Sequence, residues 1–347
     1  MISRGIESIR VAYLLESTAL SGGVQVVLTQ AEALARRGHR VDVVSPETFP
    51  SWYPLARARF ERSSFRESRA LSEADVRVAT FWTTVAPALS GARGPVFHLC
   101  QGYEGGFSFY AGRRREIENA YRAPARKLAI SDALAARLTE LGFGPVESIG
   151  QAFDRRAFFP GEEVGAPSRE VPVLLLVGPH AADVKGIDVA LAGLALWRER
   201  GGKFRVRRVS TEPLTDAERK GGLVDEYHRA VPPERMPFAY RASDVFLGPA
   251  RSGEGFGLPV LEALSCGIPA LLSDTPGHRE IAGEVAWYFR EGDAAALADA
   301  VPLLLTKEAR HRARALGPRC AERFDPAPVA ARLERVFAAA LSGAGAA

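Results

Sequence analysis

The sequence predicts an α/β protein made of two doubly wound domains. Its 347 residues exceed the length over which a single hydrophobic core usually keeps growing, so two domains are expected. Apolar segments suited to buried strands alternate with segments of helical periodicity, which is the pattern of parallel sheets. The alternation is interrupted at residues 150–170 and then starts again. We expect the two domains to face each other across a cleft, with ligands at the carboxyl ends of the strands.

The first half begins with a clear βαβ unit. Residues 10–15 are an apolar run, residues 40–44 form a second strand, and a segment of helical spacing between them ends near Gly38. Asp132 is the predicted N-cap of a helix that runs to Leu141. Further strands are predicted at residues 76–81, 95–100, 127–130 and 146–149.

The second half repeats the pattern after a predicted linker at residues 150–170, which is rich in glycine, proline and mixed charges. Residues 171–177 read VPVLLLV, a strand that is apolar on both faces, as parallel sheets require. The tail at residues 293–341 is predicted to be helical throughout. Between them, strands near 204–210, 244–248, 269–273 and 285–289 alternate with helices near 186–199, 234–242, 258–266 and 276–282.

The composition, with 47% hydrophobic and 25% charged residues, is that of a soluble globular protein. No apolar run is long enough to span a bilayer, and the N-terminus lacks the hydrophobic stretch of a signal peptide, so a cytoplasmic protein is expected. The three cysteines, Cys100, Cys266 and Cys320, have no metal-binding spacing. Neither a disulfide framework nor a zinc site is therefore predicted.

Arginines cluster in two segments, residues 55–69 and 112–127. A basic surface can attract nucleic acid, anionic lipid or a phosphorylated substrate, although a simple solvated surface is the alternative interpretation. No recognised nucleic-acid-binding motif accompanies the clusters, so no nucleic-acid partner is expected. Peripheral contact with the inner face of a membrane stays open as a hypothesis.

The most informative stretch is ASDVFLGPARSGEGFGLPVLEALSCGIPALLSD, residues 242–274. A strand at 244–250 leads into a glycine-rich loop at 251–257, and a helix follows with Pro259 in its first turn. The free N–H groups at the start of this helix favour an anion such as phosphate. The stretch therefore predicts a ligand site at the turn from strand to helix.

Two carboxylates accompany this turn, Glu254 before the helix and Glu262 within it. Ionised carboxylates accept hydrogen bonds and suit the hydroxyl groups of sugars. Gly253, Gly255 and Gly257 allow a ligand to approach the backbone closely. Their spacing differs from the G-x-G-x-x-G dinucleotide fingerprint, which argues against an oxidoreductase.

The complete stretch resembles the E-x7-E signature of retaining glycosyltransferases of family 4. Residues 21–44, 127–138, 149–160, 177–195 and 324–341 resemble other segments of that family, so the similarity extends over nearly the whole chain. It implies the GT-B fold, with two doubly wound Rossmann-like domains. The expected domains are an acceptor-binding domain at 1–155, joined by a C-terminal helix at 325–341, and a donor-binding domain at 156–324.

The resemblance also implies the reaction. The expected substrates are a nucleotide-diphosphate sugar and the hydroxyl group of a glycan, a lipid-linked or a small-molecule acceptor, and the product is an α-glycoside. No metal and no cofactor are expected. Without an obvious enzymic nucleophile, retention implies displacement on one face of the sugar, in which the leaving phosphate helps to deprotonate the acceptor.

Individual roles follow from the matching positions of the family. Glu254 resembles the carboxylate that holds the donor sugar, and Glu262 resembles the glutamate that binds the ribose. Lys185 matches the lysine that neutralises the diphosphate. The remaining donor contacts implied are the backbone at Gly255, Phe256 and Gly257, the helix start at Leu258 and Pro259, and the N-domain glycines Gly22 and Gly23.

The chain departs from the family pattern at the second diphosphate cation. The expected arginine after the first C-domain strand is missing, and Pro179 and His180 stand in its place. Either His180 or Arg251 is a candidate to supply the charge. Because of this departure, a GT-B protein that binds a nucleotide or glycan without turnover is the alternative to an enzyme.

A second departure concerns the N-domain strand at 95–100, where many relatives place a histidine at the reacting centre. The corresponding residue here is Gln101, and His98 within the strand is expected to be packed. We therefore predict Lys185, Glu254 and Gln101 as catalytic residues. The acceptor-binding candidates are Gln101, Tyr103 and Glu104. This QGYE segment is similar to a subset of the family that includes rhamnosyltransferases, which makes a deoxythymidine-diphosphate 6-deoxysugar donor an alternative.

Overall fold

A computed structural model describes residues 7–161 and 171–343. The strands are β1 (Arg10–Leu14), β2 (Arg40–Ser45), β3 (Arg59–Arg62), β4 (Val76–Ala79), β5 (Val96–Cys100), β6 (Arg126–Ala129), β7 (Val146–Ser148), β8 (Val173–Val177), β9 (Arg205–Ser210), β10 (Val224–Arg229), β11 (Val245–Gly248), β12 (Ala270–Ser273) and β13 (Trp287–Phe289). The helices are α1 (Gly22–Arg36), α2 (Arg69–Glu73), α3 (Trp82–Leu89), α4 (Arg114–Arg122), α5 (Asp132–Glu140), α6 (Ile187–Glu199), α7 (Asp216–Gly221), α8 (Met236–Arg241), α9 (Leu258–Ser265), α10 (Pro276–Ala282), α11 (Ala294–Leu304), α12 (Lys307–Glu322) and α13 (Pro326–Leu341).

The described residues group into two compact units. Unit 1 contains residues 7–106, 110–154 and 324–343, so the last helix, α13, returns to the N-terminal part of the chain. Unit 2 contains residues 107–109, 155–161 and 171–323. Part of the predicted linker, residues 162–170, lies outside the described residues.

Unit 1 is built on a parallel sheet with the strand order β3-β2-β1-β4-β5-β6-β7. Val11 of β1 pairs with Val41 on one side and Val76 on the other, so β1 lies at the centre, where the order reverses. This reversal is the switch point of a doubly wound sheet, as the sequence predicted. The central strands are buried because helices cover both faces, which explains their apolar runs.

Helix α13 completes unit 1 by packing against α1. Phe337 of α13 stacks near Phe97 of β5 with 4.9 Å between ring centroids. Arg37, at the end of α1, donates from Nε to Oε2 of Glu334 at 2.9 Å. These contacts explain why the apolar face of the last helix belongs with the first sheet.

Unit 2 contains a second parallel sheet with the order β10-β9-β8-β11-β12-β13. Its central strands β8 and β11 pair in parallel, with Val245 opposite Leu174. The core combines both strands with α6 and α11, through side chains such as Leu174, Leu194 and Leu297. The predicted fold class, two doubly wound sheets, is confirmed.

Several local predictions need correction. Ser131, rather than Asp132, is the N-cap of α5, because its side chain accepts from the N–H of Leu134. The tail that was predicted to be helical consists of the three helices α11, α12 and α13. Strands β3 and β10 were not predicted, because arginines and other polar residues interrupt their apolar pattern.

Candidate active site

The predicted donor residues of unit 2 lie on two loops at the switch point of its sheet. One loop follows β8 and contains Lys185, and the other follows β11 and contains Glu254. Because β8 and β11 are parallel neighbours, both loops leave the sheet at the same edge. This edge is where doubly wound sheets open a crevice for ligands.

An ion pair joins the two loops, between Nζ of Lys185 and Oε1 of Glu254. Both side chains are largely shielded, with 27% of the lysine side chain and 15% of the glutamate side chain exposed. The stem of Lys185 lies across Gly178, where a Cβ would come within 3.3 Å of the lysine Cδ. The crevice therefore holds a cation suited to phosphate and a carboxylate suited to hydroxyl groups.

Arg251 ties the loop after β11 to the loop after β8. Its Nη2 donates to Oδ2 of Asp188 at 2.7 Å, and its Nη1 donates to the carbonyl oxygen of Asp183. Its backbone N–H donates to the carbonyl oxygen of Val184 at 2.8 Å. The hydrogen bond to Asp188 raises the pKa of Arg251 further. In this structure the guanidinium of Arg251 therefore braces the two loops, and its supply of charge to a diphosphate stays a prediction.

Two glycines allow the loops to approach each other and the helix to start. Gly186 has φ +61°, and a Cβ there would lie 2.0 Å from the carbonyl oxygen of Pro249. Gly257, the N-cap of α9, has φ +97°. Both positions require glycine, because other residues rarely adopt this backbone conformation. Helix α9 then begins at Leu258, with Pro259 in its first turn. Gly255 and Phe256, which precede it, are buried.

Glu262 lies on α9 and is buried, with 6% of its surface exposed. Oη of Tyr240 donates to Oε2 of Glu262 at 2.6 Å. Burial raises the pKa of Glu262 to about 7, although the Tyr240 hydrogen bond and the charge of Lys185 act in the opposite direction. The carboxyl group therefore titrates near neutral pH, which its position in the sequence did not predict.

The loop that carries His180 is held by a buried ion pair beneath it. Nε of Arg208 donates to Oε1 of Glu218 at 2.9 Å. Nη1 of Arg208 donates to the carbonyl oxygen of Leu176 in β8 at 3.1 Å, and Nη2 donates to that of Gly178, just after β8, at 2.9 Å. Nδ1 of His180 lies 3.5 Å from Oγ1 of Thr215, the N-cap of α7. His180 is thus placed against α7.

Lys185 and Glu254 line a small pocket. Its wall also includes Gly257 and Pro259 from the start of α9, the end of β11 and His278. Among the described residues, neither His180 nor Arg251 belongs to this lining. The pocket therefore combines Lys185 with the carboxylate and the helix start, without the second cation that the sequence suggested.

His278 is a pocket residue that sequence reasoning missed. It lies in the first turn of α10 and is buried, with 3% of its surface exposed. Its Nδ1 lies 2.8 Å from the carbonyl oxygen of Ser273 at the end of β12. His278 could have been predicted from its position after β12. This strand is a parallel neighbour of β11, and the carboxyl ends of parallel neighbours lie at the same edge of the sheet. Tyr240 was also missed, since it lies on α8, which packs against α9 only in the folded chain.

In unit 1, Gln101 and Gly23 come together although they are distant in the sequence. Gln101 follows β5, and its Nε2 donates to the carbonyl oxygen of Gly23 at 3.2 Å. Gly22 and Gly23 form the first turn of α1, whose N-cap Ser21 accepts from the N–H of Val24 at 3.3 Å. The glutamine therefore fixes the start of the glycine-containing helix.

Tyr103 and Glu104 occupy different positions from those predicted. Tyr103 is packed in the core of unit 1, with its ring centroid 5.4 Å from that of Tyr121. Oε2 of Glu104 accepts from Oη of Tyr121 at 2.6 Å, and burial raises the pKa of Glu104 to about 7. Since 3% of Tyr103 and 6% of Glu104 are exposed, these side chains do not present an acceptor surface in this structure. Their packing against Tyr121 supports the loop that carries Gln101.

His98 is a packed side chain, as predicted. Its ring lies against Tyr121 with 4.8 Å between centroids, and burial lowers the pKa of His98 to about 3. Neither ring nitrogen has a hydrogen-bond partner among the described residues. The imidazole is therefore neutral and lies beneath the loop rather than on it.

Comparison with known proteins shows what the chain is similar to. A family model described as "Glycosyl transferases group 1" matches residues 171–307, which lie in unit 2. A phosphatidyl-myo-inositol mannosyltransferase of Mycobacterium leprae is 29% identical over 353 residues, covering 91% of this chain and 92% of the relative. The similarity therefore extends through both units.

Solved structures show the same fold. A sucrose-phosphate synthase of Thermosynechococcus elongatus aligns with a TM-score of 0.74 at 20% identity, covering 94% of this chain and 98% of the other. The Anabaena protein HepE, solved in complex with UDP-glucose, aligns with a TM-score of 0.75 at 16% identity, covering 96% of this chain and 100% of the other.

The fold, together with these similarities, defines the class: the chain is a glycosyltransferase with the GT-B fold. More narrowly, it transfers a sugar from a nucleotide-sugar donor and is similar to group 1 glycosyltransferases over residues 171–307.

Two further findings concern membranes and metals. Within residues 7–161 and 171–343, no helix combines the length and the hydropathy needed to cross a bilayer. In the same ranges, His, Cys, Asp and Glu side chains do not gather in groups of three or more that would hold a metal ion. Metal independence stays a prediction.

Proposed function

We propose that the enzyme transfers a hexosyl group with retention, forming an α-glycosidic bond to a hydroxyl acceptor. The observation that carries this proposal is the Lys185–Glu254 pair beside the start of α9. A diphosphate requires a cation and free N–H groups, whereas a sugar requires a hydrogen-bond acceptor. The pocket provides these groups next to one another.

In this proposal the donor lies along α9. The first N–H groups of the helix and Lys185 bind the diphosphate, Glu254 accepts hydrogen bonds from the sugar hydroxyls, and Glu262 accepts from the ribose. Binding replaces the internal ion pair, so that each of its members gains a substrate partner. Arg251 and the buried Arg208 keep the two loops in place through their contacts with the backbone.

Retention is proposed to occur by displacement on one face of the sugar. The bond from the anomeric carbon to the β-phosphate oxygen breaks, and the bond to the acceptor oxygen forms on the same side. The departing phosphate takes the acceptor proton, and Lys185 stabilises the negative charge that develops there. In this proposal Glu254 acts as a hydroxyl-binding group rather than a nucleophile, because its carboxylate accepts hydrogen bonds from the sugar.

The sugar and the acceptor are proposed from the relatives. A mannosyl donor is favoured because the Mycobacterium leprae relative is named a mannosyltransferase. The name of its acceptor, phosphatidyl-myo-inositol, favours a polyol or glycan attached to a lipid. Gln101, fixed on Gly23 at the carboxyl end of β5, is the proposed contact on the acceptor side. A deoxythymidine-diphosphate 6-deoxysugar remains the alternative donor.

Peripheral membrane contact is proposed for the arginine segment around α4. Arg113 stacks over the ring of Trp82 at 4.4 Å, while Arg115 is exposed. Exposed basic groups suit an anionic bilayer surface. Co-sedimentation with anionic vesicles at low salt should weaken in Arg115→Glu but not in Lys307→Glu on α12, and absent binding of the parent protein contradicts this proposal.

The activity is tested with a panel of UDP-glucose, GDP-mannose, ADP-glucose and dTDP-rhamnose, each with simple glycoside and phosphatidylinositol acceptors. Release of nucleoside diphosphate identifies the donor. Nuclear magnetic resonance of the product then compares its anomeric configuration with that of the donor. An inverted product contradicts retention, and activity that is lost with EDTA and restored by a divalent cation contradicts metal independence.

A further inference from the structure

The tautomer of His278 follows from its surroundings. A carbonyl oxygen only accepts, so the contact of 2.8 Å between Nδ1 and the Ser273 carbonyl places the ring proton on Nδ1. Burial and the charge of Lys185 lower the pKa of His278, although the Ser273 carbonyl and Glu254 act in the opposite direction. The neutral ring therefore carries a lone pair on Nε2.

The ring of His278 lies at the wall of the donor pocket, with its Nε2 edge towards the loop that carries Gly257. His278 lines the pocket together with Lys185, Glu254 and Gly257. A Cβ built on Gly257 would lie 3.8 Å from Nε2 and 4.0 Å from Cδ2, so the Nε2 edge of the ring faces the loop. No hydrogen bond to Nε2 is present among the described residues, whereas Nδ1 is occupied.

We infer that His278 contacts the donor sugar and determines which hexose is accepted, with Nε2 receiving a hydrogen bond from a sugar hydroxyl. This inference rests on the proposed donor site. Phosphate oxygens and carbonyl groups cannot donate to Nε2, whereas hydroxyl groups can. Glu254 and His278 thus form two acceptors in one pocket, and together they select the orientation of neighbouring hydroxyls on the sugar ring. Epimers that turn one hydroxyl away leave a buried acceptor unpaired, which is the basis of discrimination.

Two substitutions separate this role from a structural one. In His278→Asn, the shorter amide retains a donor near the Nδ1 position for the Ser273 carbonyl but lacks any atom at Nε2. In His278→Gln, the longer amide presents an acceptor near the Nε2 position but loses the bond to Ser273. The Asn variant should keep its stability and lose sugar recognition, whereas the Gln variant should be less stable and keep recognition.

The readout is the ratio of two affinities measured by calorimetry, one for a nucleotide sugar and one for its nucleoside diphosphate. The pairs are GDP-mannose with GDP and UDP-glucose with UDP. In His278→Asn, the nucleotide sugar should bind about tenfold more weakly, as expected for loss of one hydrogen bond, and the diphosphate should bind unchanged. The matched control is His311→Asn, on the exposed face of α12.

The possible results separate the inference about His278 from the proposed donor site. An unchanged ratio in His278→Asn overturns the inference but leaves the proposed donor site intact. Failure of the parent protein to bind any of UDP-glucose, GDP-mannose, ADP-glucose and dTDP-rhamnose overturns both. If the Asn variant does not fold, the comparison of His278→Gln with His278→Leu replaces it, and equal ratios in those two variants overturn the inference.

Discussion

Lys185 and Glu254, which are 69 positions apart in the chain, form an ion pair that joins the loops after two neighbouring strands. The pair is partly shielded, and it lines the pocket at the start of α9. Both groups are of the kinds that a nucleotide sugar needs, a cation for phosphate and an acceptor for hydroxyl groups. Four predictions follow from this relationship and its surroundings.

Replacing Glu254 by Gln should lower kcat/KM about 100-fold, because the carboxylate makes charged hydrogen bonds to the sugar that an amide cannot replace. The melting temperature should change little. The control is Glu308→Gln, an exposed glutamate on α12. Steady-state kinetics and thermal unfolding measure both effects, and turnover within a few fold of the parent would refute the role of Glu254.

Replacing Lys185 by Met should weaken the binding of nucleoside diphosphates about tenfold or more, since the pocket then lacks its lysine cation. The loss should appear with the diphosphate itself, whereas loss at Glu254 should appear mainly with the intact nucleotide sugar. Calorimetry with UDP and GDP measures the difference. Lys203→Met, away from the pocket lining, is the control. Equal diphosphate binding in Lys185→Met and Lys203→Met would contradict the assignment.

The role of Arg251 can be separated into bracing and charge supply. If it braces the loops, Arg251→Ala and Asp188→Ala should raise the donor KM by similar factors, because each removes the same ion pair. If the guanidinium binds the diphosphate, Asp188→Ala should leave the donor KM unchanged or lower it. We expect similar losses of about threefold to tenfold, and the paired KM values measure this.

The stability of unit 2 should depend on the ionisation of Glu262. Its pKa is raised from 4.5 in the unfolded chain to about 7 in the folded protein, so the folded state retains a proton that the unfolded state has released. Stability from this group is therefore present below about pH 4.5 and falls as the pH rises to about 7.

Glu262→Gln removes this titration. Relative to the parent, the variant should gain stability between pH 4.5 and 7, by up to about 3 kcal/mol. Denaturant unfolding at several pH values measures the difference between the two proteins, in which the contribution of Glu104 cancels. A difference that does not change with pH would contradict the raised pKa.

The architecture could be predicted because it depends on local patterns. Buried parallel strands must be apolar on both faces, so segments such as 171–177 stand out in the sequence. β3 and β10 escaped prediction, since edge strands lie partly in solvent and tolerate polar residues. The N-cap of α5 was displaced by one residue because Ser131 and Asp132 are both good caps, and only the backbone geometry decides between them.

The site was predictable where its residues share one segment. Glu254, Gly257 and Pro259 follow one strand, and α9 begins at Leu258, where the sequence predicted it. His278 and Tyr240 belong to other segments and reach α9 or its pocket through tertiary packing. Tyr103 and Glu104 were predicted to bind the acceptor because the sequence does not reveal that Tyr121 of α4 lies next to them.

The sequence by itself determined the two doubly wound sheets and the helix start with its carboxylates, because strand periodicity, glycine positions and helix-start residues act over short distances. The tertiary structure decided which charges are free and which are paired. Arg251 is engaged with Asp188, Lys185 meets Glu254, and Glu262 is buried beside Tyr240. These outcomes depend on distances between segments that are far apart in the chain, and electrostatic energies change steeply with distance and burial.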